Sequence, residues 1–535
     1  IGTQSQVDDE KRMRFNSSEF YFKSPQEMEE LFRDYPEALK NTAAIAERCN
    51  VTLKLGDAQE NHYPVFHATE GMERDAYLRK LCLDAVPERY GEDPYAQPLS
   101  DACKTIVERI DHEMAIVQKT GFTSYFLVVW DFLRYARQQG IPVGPGRGSG
   151  AGSIIAYLLH ITDIDPLEYS LLFERFLNPD RVSPPDFDID LCERRRGEVI
   201  EYVRRTYGAD SVAQIGTYGT LKAKAVVKDV ARALGRSFDD GNQLTKMIPD
   251  DLKMTLPKAR QENKELEQRI QKEPWVRELF QHAEVLEGLN RNMSIHAAGV
   301  IIGDQPLSNL VPLGRGSNDE VITQLAAHPC EELGLLKMDF LGLRTLTIIQ
   351  DALDNVEAAR GIKMAPSEIP MDDPATFDLL NKGNTVAVFQ LESGGMQDLC
   401  RRFKLTSIKD IIALIALYRP GPMQFLDEFI SRKVGETPIV YDVPAMKPIL
   451  EETYGIMLYQ EQVMQVVQTV AGFSLGQADI LRRAMGKKKV KEMEKQYGYF
   501  IEGCAERDID KETAGEIWNK VAKFAEYGFN KSHSA

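Results

Sequence analysis

Three aspartates alternate with apolar residues in the segment 185–191, which reads Pro-Asp-Phe-Asp-Ile-Asp-Leu. Side chains on a β-strand point to opposite faces with a period of two, so the pattern predicts a strand with Asp186, Asp188 and Asp190 on one face. Carboxylates at close quarters repel one another unless a cation neutralises them, and hard oxygen ligands suit Mg²⁺. The segment therefore predicts a magnesium site. For an isolated Asp-x-Asp pattern the alternative is an edge strand with a solvated acidic face.

A glycine-rich segment lies upstream at 143–153, Val-Gly-Pro-Gly-Arg-Gly-Ser-Gly-Ala-Gly-Ser, and an apolar run at 154–159 predicts a helix start after it. Glycines let a backbone approach a polyanion, and the N–H groups at a helix N-terminus attract negative charge. The segment is not a Walker A loop, because no Gly-Lys-Ser/Thr follows at the required spacing, and a flexible connection is the alternative. A phosphate-binding loop followed by metal-binding carboxylates predicts phosphoryl transfer with two metal ions.

A second short strand is predicted at 335–344, Leu-Leu-Lys-Met-Asp-Phe-Leu-Gly-Leu-Arg. Lys337 and Asp339 are two residues apart and share a face of this strand. A single acid on a strand is commonly structural, but Asp339 here offers the third carboxylate of a two-metal site. Arg175 and Arg181 lie close in sequence to the acidic strand and add positive charge there.

The formal net charge of −16 over 535 residues argues against a broadly basic, nucleic-acid-binding surface. Basic charge is nevertheless concentrated locally. A predicted helix at 221–232 places Lys224 and Lys228 on one face at i and i+4. The run 481–496 includes Lys487, Lys488 and Lys489. Such runs are commonly solvated helix faces, and contacts to DNA phosphates that do not read the base sequence are the alternative.

Seven scattered cysteines form no Cys-x-x-Cys pair, which excludes a disulfide framework or a zinc module and predicts a reducing cytoplasm. No apolar run reaches membrane-spanning length and no signal peptide is present. His296 is expected to be structural rather than a metal ligand.

Longer motifs resemble the C family of DNA polymerases, the bacterial replicative polymerases, over essentially the whole chain. The matching strings are the glycine-rich loop, the acidic strand, 337–346, 388–393, 418–422, 454–462, 481–489 and 528–535. The resemblance implies that Asp186, Asp188 and Asp339 are catalytic ligands of two Mg²⁺ ions and that Asp190 is not. It further implies nucleotide contacts by Gly148, Ser149, Arg175, Arg181, Lys337, Arg482 and Arg483.

The fold class expected from the resemblance is a helix-rich α/β multidomain protein. Its palm would be similar to polymerase-beta-like nucleotidyltransferases, with a helical thumb and fingers. The implied domains are the end of a polymerase-and-histidinol-phosphatase domain (1–55), a palm in two parts (56–217 and 293–342), a thumb (218–292) and truncated fingers (343–535). Helices are predicted at 38–49, 123–139 and 343–360. We expect the last helices to expose apolar faces, because the family motifs continue beyond 535.

The function implied is template-directed DNA synthesis from dNTPs on primer-template DNA in the cytoplasm. A sliding clamp, a proofreading exonuclease subunit and the clamp-loader tau subunit are partners implied for a longer parent protein, and no membrane partner is implied. A template-independent nucleotidyltransferase would keep the acids and the loop but would not need the thumb and fingers motifs. A non-catalytic scaffold would have no reason to keep the three acids and the glycine-rich loop together. We expect the 535-residue piece alone to be a poor polymerase or none.

Overall fold

The structure is a computed structural model. It describes residues 1–56, 60–68, 71–180, 184–251, 253–316, 318–486 and 490–535, with the backbone alone at 490, 491, 526 and 527.

Helices dominate the described residues, because most segments place apolar side chains along one helical stripe. The helices are α1 (Pro25–Leu31), α2 (Pro36–Arg48), α3 (Arg74–Tyr90), α4 (Asp101–Thr120), α5 (Thr123–Gln138), α6 (Ile154–Leu158), α7 (Arg196–Tyr207), α8 (Ala223–Ala233), α9 (Phe238–Lys246), α10 (Leu256–Glu262), α11 (Lys264–Lys272), α12 (Pro274–Leu286), α13 (Ala327–Glu332), α14 (Arg344–Arg360), α15 (Pro374–Asn381), α16 (Gly394–Phe403), α17 (Ile408–Leu417), α18 (Leu426–Lys433), α19 (Lys447–Leu450), α20 (Gln460–Ala471), α21 (Leu475–Gly486), α22 (Val490–Ala505), α23 (Lys511–Tyr527) and α24 (Lys531–Ser534). The strands are β1 (Asp188–Cys192), β2 (Val212–Thr220), β3 (Asn290–Ile302), β4 (Leu313–Arg315), β5 (Val321–Thr323) and β6 (Lys337–Leu343). The protein is helix-rich with mixed strand pairing, as the predicted fold class requires.

The chain divides into two compact units. The first unit comprises 1–61, 213–296 and 308–334, and the second comprises 62–212, 297–307 and 335–535. In the first unit, helices α8 to α12 enclose an apolar core that includes Val226, Leu244 and Phe280. Its strands pair as β2 parallel to β5 and β4 antiparallel to β5.

The second unit contains the two strands that carry the predicted acids. Strand β1 runs parallel to β6, and the last residues of β3 run antiparallel to β6 on its other side. An aromatic and aliphatic core lies beneath these strands, and Phe126, Phe132 and Phe340 within it are fully buried. A second, all-helical core joins α15 to α23 in the same unit.

The predicted helices at 38–49, 123–139 and 343–360 correspond to α2, α5 and α14, with ends displaced by two residues at most. All seven cysteines are free thiols. Among the residues that the structure describes, no helix is both long enough and apolar enough to cross a bilayer.

The expectation that the last helices expose apolar faces is wrong for α23. Ala514, Ile517 and Val521 of this helix are fully buried, and Phe529 just beyond it is 6% exposed. Their burial results from packing within the all-helical core, where α23 contacts α20, α21 and α22.

Candidate active site

The two acid-bearing strands lie side by side, and their register places Asp188 directly opposite Asp339. Asp186 precedes β1 by two residues and completes a group of three carboxylates. All three interact electrostatically with the buried hydroxyl of Tyr125 and help to raise its pKa, although desolvation is the larger cause. The acids predicted from two distant sequence segments are therefore brought together.

The apolar residues that alternate with the aspartates anchor the acidic strand in the core. Phe187, Ile189 and Leu191 are buried at 4% exposure or less. The ring of Phe187 stacks on Tyr125 at 5.6 Å, and the Tyr125 hydroxyl accepts a hydrogen bond from the Phe187 backbone N–H at 3.0 Å. Because successive strand residues point to opposite faces, burying these three side chains turns the aspartates to the other face.

Lys337 compensates part of the negative charge. Its Nζ forms ion pairs with Asp339 Oδ2 at 2.5 Å and with Asp186 Oδ2 at 3.6 Å. The shared face predicted for Lys337 and Asp339 is confirmed. The pKa of Asp186 is raised, first by desolvation, and repulsion from Asp339 and Asp188 adds to this rise while Lys337 opposes it.

The three acids fit a divalent metal ion in their chemistry, since carboxylate oxygens are the ligands that Mg²⁺ prefers. The Oδ1 atom of Asp339 is buried and has no hydrogen-bond partner in the structure. A buried acceptor without a partner costs about 1–3 kcal/mol, a penalty that a bound cation would remove. Within the described residues, no three potential ligand side chains converge tightly enough to enclose an ion. The Lys337 ammonium contacts two of the carboxylates instead.

Asp190 differs from its neighbours on the strand. Its side chain is only 10% exposed and pairs with Arg147 Nε at 3.5 Å, while its backbone oxygen accepts from the Gly144 N–H at 2.8 Å. Desolvation raises the pKa of Asp190, Arg147 lowers it and Asp188 raises it further. These contacts attach the strand to the glycine-rich loop, so the role of Asp190 in this structure is structural.

The glycine-rich loop lies against the acidic strand. Isolated antiparallel bridges join Val143 to Leu191 and Arg147 to Asp188. Gly148 has φ +71°, and a Cβ atom there would lie 2.9 Å from Asp188 Oδ2. Gly148 is therefore required by both its backbone conformation and its distance from the acid. The predicted phosphate loop and the acids form one site, in which Gly148 and Ser149 begin a short 3₁₀ turn over Gly148–Gly152.

The helix after the loop does not offer its N-terminus to a phosphate. The backbone N–H groups of Ile154 and Ile155 donate to the carboxylate of Glu113 at 2.9 and 3.3 Å, and the Ser153 hydroxyl donates to the same group at 2.7 Å. Glu113 is fully buried and also pairs with Arg109 at 2.7 Å. The prediction that this N-terminus binds phosphate is wrong, because a carboxylate of the protein already occupies it.

Three of the predicted nucleotide-binding arginines form a cluster. Arg175 Nε and Arg482 Nη1 both donate to Gln460 Oε1, at 3.0 and 3.2 Å. Arg482 and Arg483 both pair with the fully buried Asp479, at 2.6 and 3.2 Å.

The segment 528–535 was not predicted to take part in the site, yet it reaches the glycine-rich loop. The Ser532 hydroxyl donates to the Gly148 carbonyl oxygen. His533 lies within electrostatic range of Asp188 and Arg175: desolvation lowers its pKa most, Arg175 lowers it further and Asp188 opposes them. The segment therefore contacts the glycine-rich loop and carries a histidine that both Asp188 and Arg175 influence. Only the family motif, and no spacing rule, pointed to it.

Two family models match consecutive parts of the chain. The bacterial DNA polymerase III alpha NTPase domain matches residues 76–342, and the bacterial DNA polymerase III alpha subunit finger domain matches residues 345–508. The chain belongs to the family of bacterial DNA polymerase III alpha subunits. The polymerase III NTPase match contains the three acids and the loop, and the finger match contains Arg482 and Arg483.

Curated DNA polymerase III alpha subunits are similar along the whole chain. The subunit of Pseudomonas fluorescens is 48% identical over 100% of this chain and 47% of the relative. That of Bacillus subtilis (strain 168) is 45% identical over 95% of this chain and 45% of the relative. The subunit of Escherichia coli O6:H1 is 47% identical over 99% of this chain and 46% of the relative. The chain thus spans about half the length of the curated relatives it matches.

The remaining predicted site residues belong to the first unit or lie outside the described residues. In the first unit, Lys224 on α8 forms an ion pair with Asp250, and Lys228 is exposed with its ammonium 5.8 Å from the ring centre of Phe238. Outside the described residues lie Arg181, Lys487, Lys488 and Lys489.

Proposed function

We propose that this chain carries the catalytic centre of a template-directed DNA polymerase, which transfers a deoxynucleotide from a dNTP to a primer 3′-hydroxyl and releases pyrophosphate. The observation that carries the proposal is the assembly of one site from four distant segments. Strands β1 and β6 supply the acids, the 143–153 loop lies against them, and α21 supplies arginines. Phosphoryl transfer needs these parts: carboxylates for cations, backbone against phosphate and positive charge for the leaving group.

Asp186, Asp188 and Asp339 would hold two Mg²⁺ ions, which would lower the pKa of the primer 3′-hydroxyl and neutralise charge on the triphosphate. Lys337 keeps positive charge beside these acids, and a bound cation would compete with it for Asp339. Gly148 and Ser149 let the loop backbone approach the phosphates without side-chain obstruction.

Arg175, Arg482 and Arg483 would attract the triphosphate and stabilise the departing pyrophosphate. In support, Nη1 of Arg175 is buried and has no hydrogen-bond partner among the described residues, so this cationic donor is unsatisfied. Arg181 would add to this charge, as the family resemblance implies.

Lys224 and Lys228 of α8, with Lys487, Lys488 and Lys489, would contact the phosphates of primer-template DNA. Lys224 would exchange its partner Asp250 for a phosphate. Exposed ion pairs contribute only about 0–1 kcal/mol, so this exchange costs little. The palm, thumb and fingers assignment, the cytoplasmic location and the clamp, exonuclease and tau partners stay predictions of the family resemblance.

A template-independent nucleotidyltransferase is the second candidate, because it would use the same acids and loop. The test supplies single dNTPs to the full-length protein with a primed template and, separately, with the primer alone. Template-directed synthesis predicts extension only with the template present and only by the complementary dNTP. Extension of the bare primer by any dNTP would favour the second candidate. The Asp188→Asn variant, run in parallel, controls for contaminating polymerase.

A further inference from the structure

Gln460 holds two of the arginines at one point. It is the first residue of α20, and its Oε1 is the shared acceptor for Arg175 Nε and Arg482 Nη1, at 3.0 and 3.2 Å. Arg175 comes from a 3₁₀ turn at Phe173–Arg175 and Arg482 from α21, so the amide joins elements about 300 residues apart in the chain.

Bringing the two guanidinium groups to one acceptor is unfavourable by itself. Desolvation lowers the pKa of Arg175 most, Glu461 opposes this, and the positive charge of Arg482 lowers it again. Two like charges are thus kept close in a largely buried setting, where their repulsion is poorly screened. Glu461, 3.7 Å from Arg175, and Asp479, 2.6 Å from Arg482, offset part of this repulsion. Two cations held at one acceptor are nevertheless an arrangement that suits a binding site for a polyanion.

The other end of the Gln460 amide fixes the segment that reaches the glycine-rich loop. Its Nε2 donates to the Gly528 carbonyl oxygen at 2.9 Å, and its backbone N–H donates to the Phe529 carbonyl oxygen at 2.9 Å. Three residues further on, Ser532 donates to Gly148. One side chain therefore ties the arginines to the same segment that holds the loop.

We propose that Gln460 is a positioning residue that sets the spacing of Arg175 and Arg482 toward the triphosphate of the incoming nucleotide. The inference rests on the proposed function and assigns a role to a residue that does not itself touch the nucleotide. Its amide has the two faces this task needs: an acceptor for both cations and a donor for the 528–532 backbone.

The test is single-turnover extension by the full-length protein at varied dNTP concentration. Gln460→Leu has a similar volume and loses both amide groups. We expect the apparent dissociation constant for dNTP to rise about tenfold, as for the loss of one hydrogen bond to a charged group, with primer-template affinity unchanged. Gln468→Leu, at an exposed position of the same helix, should leave both constants unchanged. A Gln460→Leu protein with wild-type dNTP affinity would overturn the inference.

Arg482→Ala and the double variant separate the inference from the proposed function. Because Gln460 acts partly through Arg482 and partly through Arg175, the loss of dNTP affinity in the double variant should be clearly smaller than the product of the two single losses. If the losses of dNTP affinity caused by Gln460→Leu and Arg482→Ala simply multiply in the double variant, the positioning role is overturned while the proposed function stays intact. Wild-type dNTP affinity in Arg482→Ala would instead overturn the nucleotide-binding assignment on which the inference rests.

Gln460→Glu covers the case in which Gln460→Leu does not fold. It keeps the volume and an acceptor oxygen for the arginines but loses the donor to the Gly528 carbonyl, and its carboxylate neutralises charge that the arginines would offer to the triphosphate. We expect weaker dNTP binding and a melting temperature close to wild type. Unchanged dNTP affinity in this folded variant would overturn the inference.

Discussion

Asp188 and Asp190 lie two residues apart on one strand, yet their surroundings give them different chemistry. Asp188 faces Asp339 across the strand pair, whereas Asp190 is 10% exposed and paired with Arg147. The Asp190 side chain holds Arg147 and its backbone oxygen holds Gly144, so this residue serves to attach the glycine-rich loop to the strand. Alternation along the strand cannot separate the two, because it assigns only the face of a residue and not its neighbours.

The Asp188→Asn substitution should reduce nucleotide incorporation by about a thousandfold or more, and Asp186→Asn should do the same. An amide keeps the shape of the side chain but loses the charge that holds a cation. Primer-template binding should persist. Extension rates and DNA affinity of the full-length variants test this, and comparable rates for variant and wild type would refute the assignment. Asp190→Asn is the matched control and should lose far less activity.

Sequence reasoning found the residues that carry charge in short patterns, and it missed those that act through distant contacts. The pair Asp186 and Asp188 and the glycines of the loop can be recognised from spacing within about ten residues. Gln460, Asp479 and Ser532 have no such pattern, since each is defined by partners from other elements. A family motif can include them, but it does not say what they contact.

At the scale of elements, the start of α6 shows how a helix end can be misjudged from sequence. The pattern of glycines followed by an apolar helix is correct, but Glu113, some forty residues upstream on α4, satisfies the N-terminal donors. Helix ends need partners, and whether the partner is a ligand or a side chain depends on tertiary packing. The strands were easier to predict, because their apolar faces must be buried wherever they lie.

Glu113→Ala should lower the free energy of unfolding by about 3 kcal/mol or more. It leaves Arg109 without its carboxylate and the Ser153, Ile154 and Ile155 donors without an acceptor. Urea unfolding monitored by circular dichroism measures the change. Glu108→Ala, at an exposed position on the same helix, is the control and should change stability by less than about 0.5 kcal/mol. A similar small change for Glu113→Ala would contradict the capping role.

The contact between α4 and the 3₁₀ turn that carries Arg175 should depend on pH. His112 Nε2 lies 2.8 Å from Glu174 Oε1, and this hydrogen bond raises the pKa of His112 against the opposing effect of desolvation. Because the folded state favours protonated His112, its contribution is complete below the ordinary histidine pKa of about 6.5 and is lost as the pH rises through the higher folded pKa.

His112→Gln tests this dependence. The stability difference between wild type and variant should be larger at about pH 5.5 than at about pH 8.5, because rising pH removes the proton that the folded state favours on His112. Unfolding curves at the two pH values measure the difference. His282→Gln, at an exposed helical position, controls for the general effect of losing a histidine. A difference that grows with rising pH would show that the sign is wrong.

At the scale of the whole molecule, the helix-rich class with mixed strand pairing was predictable, and so was the existence of more than one core. The division into palm, thumb and fingers came from family resemblance and stays a prediction. Burial of α23 was not predictable from its own sequence, because an apolar stripe on a helix does not say which partner covers it.

The 535-residue chain by itself should bind dNTP but extend a primed template far more slowly than the full-length protein. The acids, the loop and the arginines are all present, whereas the chain spans about half the length of its relatives. Family resemblance places further duplex and clamp contacts in the remainder. Extension at equal concentrations of the two proteins measures this, with Asp188→Asn versions of both as blanks. Equal specific activity would show that the catalytic unit is smaller than we propose.

The hydrogen bond from Ser532 to Gly148 also affects when the site can be completed during protein synthesis. The two residues are 384 positions apart. A ribosome adds about 5–20 residues per second, so the loop is made roughly 20–80 s before its partner exists. During that interval the strands can pair and bury their apolar faces, but the loop lacks the segment that braces it. The nascent chain can therefore form the core beneath the strands well before Ser532 braces the loop, and synthesis interrupted in that interval leaves a product with this core but without a finished site.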